Sequence, residues 1–239
     1  MTRWTPTRCG MRRPACALLA LLVLLALPGC DWPWARAKPE HHELLSSHTT
    51  PQAAAVRRVA VLPFYFGQDV GRSAAAMNTS MSAALRELGL HEVVSVSVAQ
   101  RDLLLPDDPV LANHLTTDQL LKLRDALHCD AVMIGRIEQY DSFDPISIGV
   151  SAHLVSCLDG TVPWSATGHF DGHRQDVQDE ISSWYDRNSG AENANISGWR
   201  SVLQSPLLFT RYVADRLALS IPMPSSKDMD KKTDKGNKP

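Results

Sequence analysis

A mixed-sheet α/β fold is predicted by three features between Arg57 and Ile221: one continuous apolar run, helical stretches with apolar residues at three- and four-residue steps, and three successive strand-like segments. Val59–Phe66 is apolar throughout, as expected of a central strand covered on both faces. Ser73 can cap a helix carrying Ala74, Met77, Met81, Leu85 and Leu88, which Gly89 would stop. Val93–Val98 is a second strand. Thr116 and Gln119 have capping-box spacing ahead of Leu120, Leu123 and Leu127, a helix running to His128. Asp130–Tyr140, Ile146–Cys157 and Val162–Phe170 follow as strands, the last two joined at Asp159-Gly160, a two-residue hairpin signal. Val177, Ile181 and Trp184 mark a narrow-striped helix, and Ser205-Pro206 opens another with Phe209, Val213 and Leu217. The order β-α-β-α-β-β-β-α-α implies a parallel core extended by an antiparallel meander, with flanking helices.

Pairing within the meander can be anticipated. A hairpin turning around residues 141–145 sets Val132 opposite Leu154 and Ile134 opposite Ala152, giving one apolar side. The same register sets Cys129 opposite Cys157. Directly paired residues have Cα separations of about 4.5–5.5 Å, within disulfide range. In an oxidising compartment these two cysteines are expected to be bridged.

The address is more legible than the activity. Ala15–Leu27 is a run of 13 apolar residues preceded by Arg12 and Arg13. As a helix it reaches only about 20 Å, short of a bilayer core of about 30 Å, so it reads as a secretory h-region. Leu27-Pro28-Gly29-Cys30 follows and resembles the lipobox of bacterial lipoproteins, in which the Cys30 thiol receives diacylglycerol and the small Gly29 just before it suits the signal peptidase. Several acyl chains, palmitate among them, hold a protein stably on a membrane. Met11 is a second candidate start beside Met1, and Asp31 resembles an inner-membrane retention signal, leaving inner and outer membrane both open. The expected organisation is thus a signal peptide over 1–29, a flexible tether over 30–56, the α/β domain over 57–221 and a disordered charged tail over 222–239. Trp32 and Trp34 beside the lipid site suit the headgroup level.

Composition removes several classes. Without the four Arg of the leader the chain holds 20 basic and 26 acidic residues, a net of −6, which argues against nucleic acid. Five Cys without zinc-finger spacing make neither a disulfide-dense scaffold nor a finger. No cofactor is expected: Gly67 and Gly71 follow the first strand, but a Walker lysine, a dinucleotide fingerprint and a nucleophile elbow are all absent.

Arg58-Val-Ala-Val-Leu-Pro-Phe64 after such a leader resembles the opening strand of an α/β superfamily. It includes CsgG-type curli-secretion lipoproteins, LpoB-type penicillin-binding-protein activators, the N-terminal domain of TolB and other envelope lipoproteins. Cys129-Asp-Ala-Val-Met-Ile-Gly-Arg-Ile137, Pro145–Val155 and Gly160–Asp171 with Trp164 are similar to the second half of that unit. The resemblance spans residues 57–171 and implies a non-enzymatic envelope protein working through protein–protein contacts. A cell-wall synthase or secretion component is the implied partner, with self-assembly into a ring as the other form. Pore formation is not expected, because residues 146–170 are spent on a short meander.

The opposing class is a periplasmic enzyme or metal-dependent binder. His169-Phe-Asp171-Gly-His173 offers two imidazoles and a carboxylate at a strand end, and His153 is expected to approach them across the meander. Simple turn chemistry at Asp171-Gly172 accounts for the same residues. Glu40-His41-His42-Glu43 with His48 lacks an ordered scaffold for a metal.

Overall fold

The computed structural model describes residues 44–66, 71–89, 92–105, 115–188 and 198–222. The leader, Cys30, residues 31–43 and the tail beyond residue 222 lie outside the described residues, as does Gly67.

Seven strands form one sheet: β1 Leu45–Thr49, β2 Arg58–Val61, β3 Tyr65–Phe66, β4 Glu92–Ser95, β5 Ala131–Asp141, β6 Ser147–Ser156 and β7 Trp164–Asp171. The order is β1-β7-β6-β5-β2-β4, with β3 pairing β5 beyond the end of β2. β2 runs parallel to β4 and β5, while β5, β6, β7 and β1 alternate in direction. The expected α/β class, parallel core and antiparallel meander are therefore all present.

Helix α1, Gly71–Glu87, buries Met77, Met81 and Leu85 on one face of this sheet. It packs there beside α4, Gln175–Asn188, and α6, Pro206–Leu219, with the short α5, Arg200–Gln204, between them in sequence. Inside this layer the Tyr212 ring meets Phe170, Trp184 and Phe209 edge-on at 5.8–5.9 Å between centroids. Its hydroxyl donates to Glu180 at 3.1 Å. Burial and the Glu180 charge push the Tyr212 phenol above its ordinary range.

On the other face α2, Val98–Leu104, and α3, Thr117–Leu127, cover only β2, β4 and the ends of β5 and β6. Both halves of the Thr116/Gln119 capping box are made, the Gln119 carbonyl accepting from Thr116 N–H at 2.8 Å. His128 at φ 51° then ends α3 and delivers the chain to Cys129.

Several expectations are corrected. The stretch read as tether to residue 56 contains β1 and a 3₁₀ turn over Pro51–Ala55, so the sheet begins at Leu45 rather than Arg57. β1 escapes periodicity because Leu-Ser-Ser-His-Thr is an edge strand, half-buried at Leu45 and exposed along the rest. The apolar run 59–66 divides at Leu62-Pro63-Phe64 into β2 and β3, since Pro63 has no N–H for a ladder. β4 stops at Ser95, and Ser97 caps α2, accepting from Gln100 N–H at 3.2 Å. The turn after β6 is longer than Asp159-Gly160 alone: Ser156 N–H donates to Thr161 O at 2.8 Å across four residues.

Hairpin register differs by one residue. Val132 faces Val155 and Met133 faces Leu154, while Ile134 faces His153, not Ala152. Val132 and Leu154 thus lie on opposite sides of the sheet. Ala131 to Ile134 are apolar on both sides because both sides of β5 are covered there, so the pattern could not discriminate between neighbouring registers.

Candidate functional site

Four places are candidates for chemistry, and the cysteine pair is the tightest. Cys129 precedes β5 and Cys157 follows β6, and both are buried among Leu123, Val132 and Val155. Their Sγ atoms stand 3.8 Å apart as thiols. The shifted register does not separate them, because Cys157 lies past the strand end, where its N–H donates to Asp130 O at 2.8 Å. The Asp130 carboxylate in turn accepts the N–H groups of Arg57 and Arg58 at 3.1 and 3.0 Å, joining the starts of β2 and β5. The hydrogen bond between the two sulfurs lowers the Cys129 thiol from its ordinary range, while it and burial raise that of Cys157.

The His153/His169/Asp171 cluster is not assembled. His153 pairs with Ser165, which lies four residues before His169 on β7, roughly 13 Å along the strand. Asp171 and His173 do meet: Asp171 Oδ1 accepts His173 N–H at 2.9 Å and stands 3.0 Å from its Nδ1. Partial burial opposes ionisation of Asp171, but these contacts hold its carboxyl below the usual range. His173 is 69% exposed and closes a turn, the simpler of the two readings of this motif. Among the described residues no three His, Cys, Asp or Glu side chains are grouped as metal ligands.

The third place is a sheet face that sequence reasoning missed. The outer β1-β7-β6-β5 half of the sheet has its apolar side under α4 and α6, whereas the opposite side alternates into solvent along β7. One row across it reads His48, Ser165, His153 and Ile134; the next reads Ser46, Thr167, Ser151 and Arg136. Ser46, His48, Thr167 and His169 are exposed. At its inner margin Ser151 donates to Glu138 at 2.9 Å, Arg136 pairs with Glu138 at 3.4 Å, and the Arg136 guanidinium lies 5.6 Å from the Tyr65 ring centroid. The signal available in sequence was the alternation of Ser165, Thr167 and His169 along β7, but without β1 and the correct register the rows could not be drawn.

A crevice of about 440 Å³ opens beyond the carboxyl ends of β2 and β4, among Phe64, Tyr65, Asn78, Ser97 and Arg101. This is where the chain reverses direction across the sheet, a common ligand position in open α/β folds. Its cation is already engaged: Arg101 reaches Asp102 at 2.6 Å. Asn78 donates to Val96 O at 3.3 Å.

No family model matches the chain, and no curated protein matches it. Solved structures do resemble it at low identity. PelC from Paraburkholderia phytofirmans, a dodecamer, is 18% identical over 69% of this chain and 96% of its own, with a TM-score of 0.40. Lipoprotein GNA1162 from Neisseria meningitidis is 16% identical over 55% of this chain and 96% of its own, with a TM-score of 0.40. The LpoB C-terminal domain from Salmonella enterica is 14% identical over 48% of this chain and 82% of its own, with a TM-score of 0.34. Among the described residues no helix is long and apolar enough to cross a membrane.

Proposed function

We propose that this chain is a lipid-anchored cell-envelope protein whose α/β domain acts without catalysis, docking another protein or assembling with copies of itself. The observation that carries the reading is the half-sheet that no described helix covers, bearing Ser46, His48, Ser151, Thr167 and His169, on a chain that opens with an export-type leader ending at Gly29, before Cys30. An antiparallel sheet face without a helical cover offers a flat array of hydroxyl and imidazole groups suited to a protein surface. The expected reactive groups lie apart along neighbouring strands or close turns, which favours docking over chemistry. Cys30 carries the diacylglycerol and an amide-linked acyl chain, holding the domain on the periplasmic side of a membrane. A cell-wall synthase or a secretion component is the class of partner; self-assembly is the other arm.

The test places a photocrosslinking amino acid at Thr167 in the full chain and irradiates intact cells. Thr167 is exposed near the centre of the face. One reproducible adduct, to an envelope protein or to a second copy, is expected. An adduct pattern no different from that of a crosslinker at Lys122, exposed on α3, contradicts docking through this face.

A further inference from the structure

We propose that Cys129 and Cys157 are covalently joined in the mature protein by a disulfide that ties the start of β5 to the turn after β6. The inference rests on the envelope location proposed above for its oxidising surroundings, and on geometry for everything else. Of the five cysteines, Cys9 and Cys16 belong to the leader and Cys30 is consumed by lipid, which leaves one matched pair. Each is 2% exposed, and the sulfurs are 3.8 Å apart. Closing to about 2.05 Å needs only a small convergence of two side chains. The backbone around them is already fixed by the Cys157–Asp130 bond and by the two N–H groups held by Asp130.

Burial decides what kind of bridge this is. Reversible redox cysteines are exposed and electropositive in setting, whereas an oxidant cannot reach a pair sealed under Leu123 and Val155. The bond therefore forms while the hairpin is closing and persists as a staple. The oxidant is a disulfide-bearing dithiol oxidase or an oxidised low-molecular-weight thiol. Cys129 as thiolate attacks one sulfur of that disulfide and expels a thiolate. Cys157 then loses its proton and attacks Cys129 Sγ in the mixed disulfide, expelling the second thiolate. Two electrons pass from the cysteine pair to the oxidant, which leaves as two thiols.

The test quenches cells with an alkylating agent in denaturant and weighs the tryptic peptides of Cys129 and Cys157 without reduction. A crosslinked peptide two hydrogens lighter than the sum of its parts, refractory to alkylation until reduced, is expected. Both cysteines alkylated in protein recovered from the envelope fraction overturns the proposal. Fractionation of the same cells reports location separately. Should the protein prove cytoplasmic, the envelope reading fails, and purified full-length chain refolded in a glutathione buffer decides the bridge: a crosslink supports it, two free thiols overturn it. Reduction of the bridged protein is expected to lower Tm by about 10 °C, from the entropy of closing a loop of this length. A double Cys→Ala variant should match the reduced protein and lose all response to reductant.

Discussion

Gly135 sits in the middle of β5 because the Phe64 ring lies against its backbone; a Cβ there would overlap the ring. The two segments that carry the resemblance, already paired as β2 and β5, thus also meet where the end of the first lies against the glycine of the second. Gly135→Ala is expected to destabilise by about 1–3 kcal/mol, read by urea unfolding, because the buried Phe64 ring must be displaced to admit the methyl group. Asp215 behaves differently. Its burial raises the carboxyl above its ordinary range, opposed by the Trp184 indole N–H at 2.7 Å and by Arg211, and reinforced by Glu87. The folded state therefore holds the Asp215 proton more tightly than the unfolded state does. This site's contribution is favourable at acid pH and is lost as pH rises through the raised value. Asp215→Asn keeps an acceptor for Trp184 without a charge. Its stability relative to wild type should rise with pH across that window and then level off; a difference independent of pH would contradict this account.

β1 is the element whose loss is most informative. Starting the chain at Arg57, where periodicity begins, removes β1, the buried Leu44 and Ala53, and the strand that covers the edge of β7. Such a truncation is expected to cost at least about 2 kcal/mol and to promote association through the bared β7 edge, against a chain starting at Glu43. Thermal unfolding and gel filtration read both effects. Many local signals were legible: the Thr116/Gln119 box, the Ser205-Pro206 start and the Met77/Met81/Leu85 stripe all specify structure within a turn or two. Long-range choices were not. A polar edge strand has no period to detect, and β5 is apolar on both sides, so nothing local told Val155 from Leu154 as the partner of Val132. The cysteine pair was found despite the slipped register because both residues lie at hairpin ends, where one residue of shift leaves them neighbours.

At the scale of the whole molecule, the sheet is asymmetric in its covering. Helices α1, α4 and α6 shield one side, α2 and α3 shield half of the other, and the remaining half carries the polar rows. The chain enters the sheet at the Leu45 end of β1, paired with Gly168. The proposed function anchors this domain to a membrane through Cys30. That arrangement depends on the leader being removed and Cys30 acylated.

The mass of the mature N-terminal peptide, taken from the full-length protein expressed in its own envelope, addresses this most directly. The account predicts a chain beginning at Cys30 with diacylglycerol on sulfur. A leader still attached, or Cys30 carrying a free thiol, would contradict it.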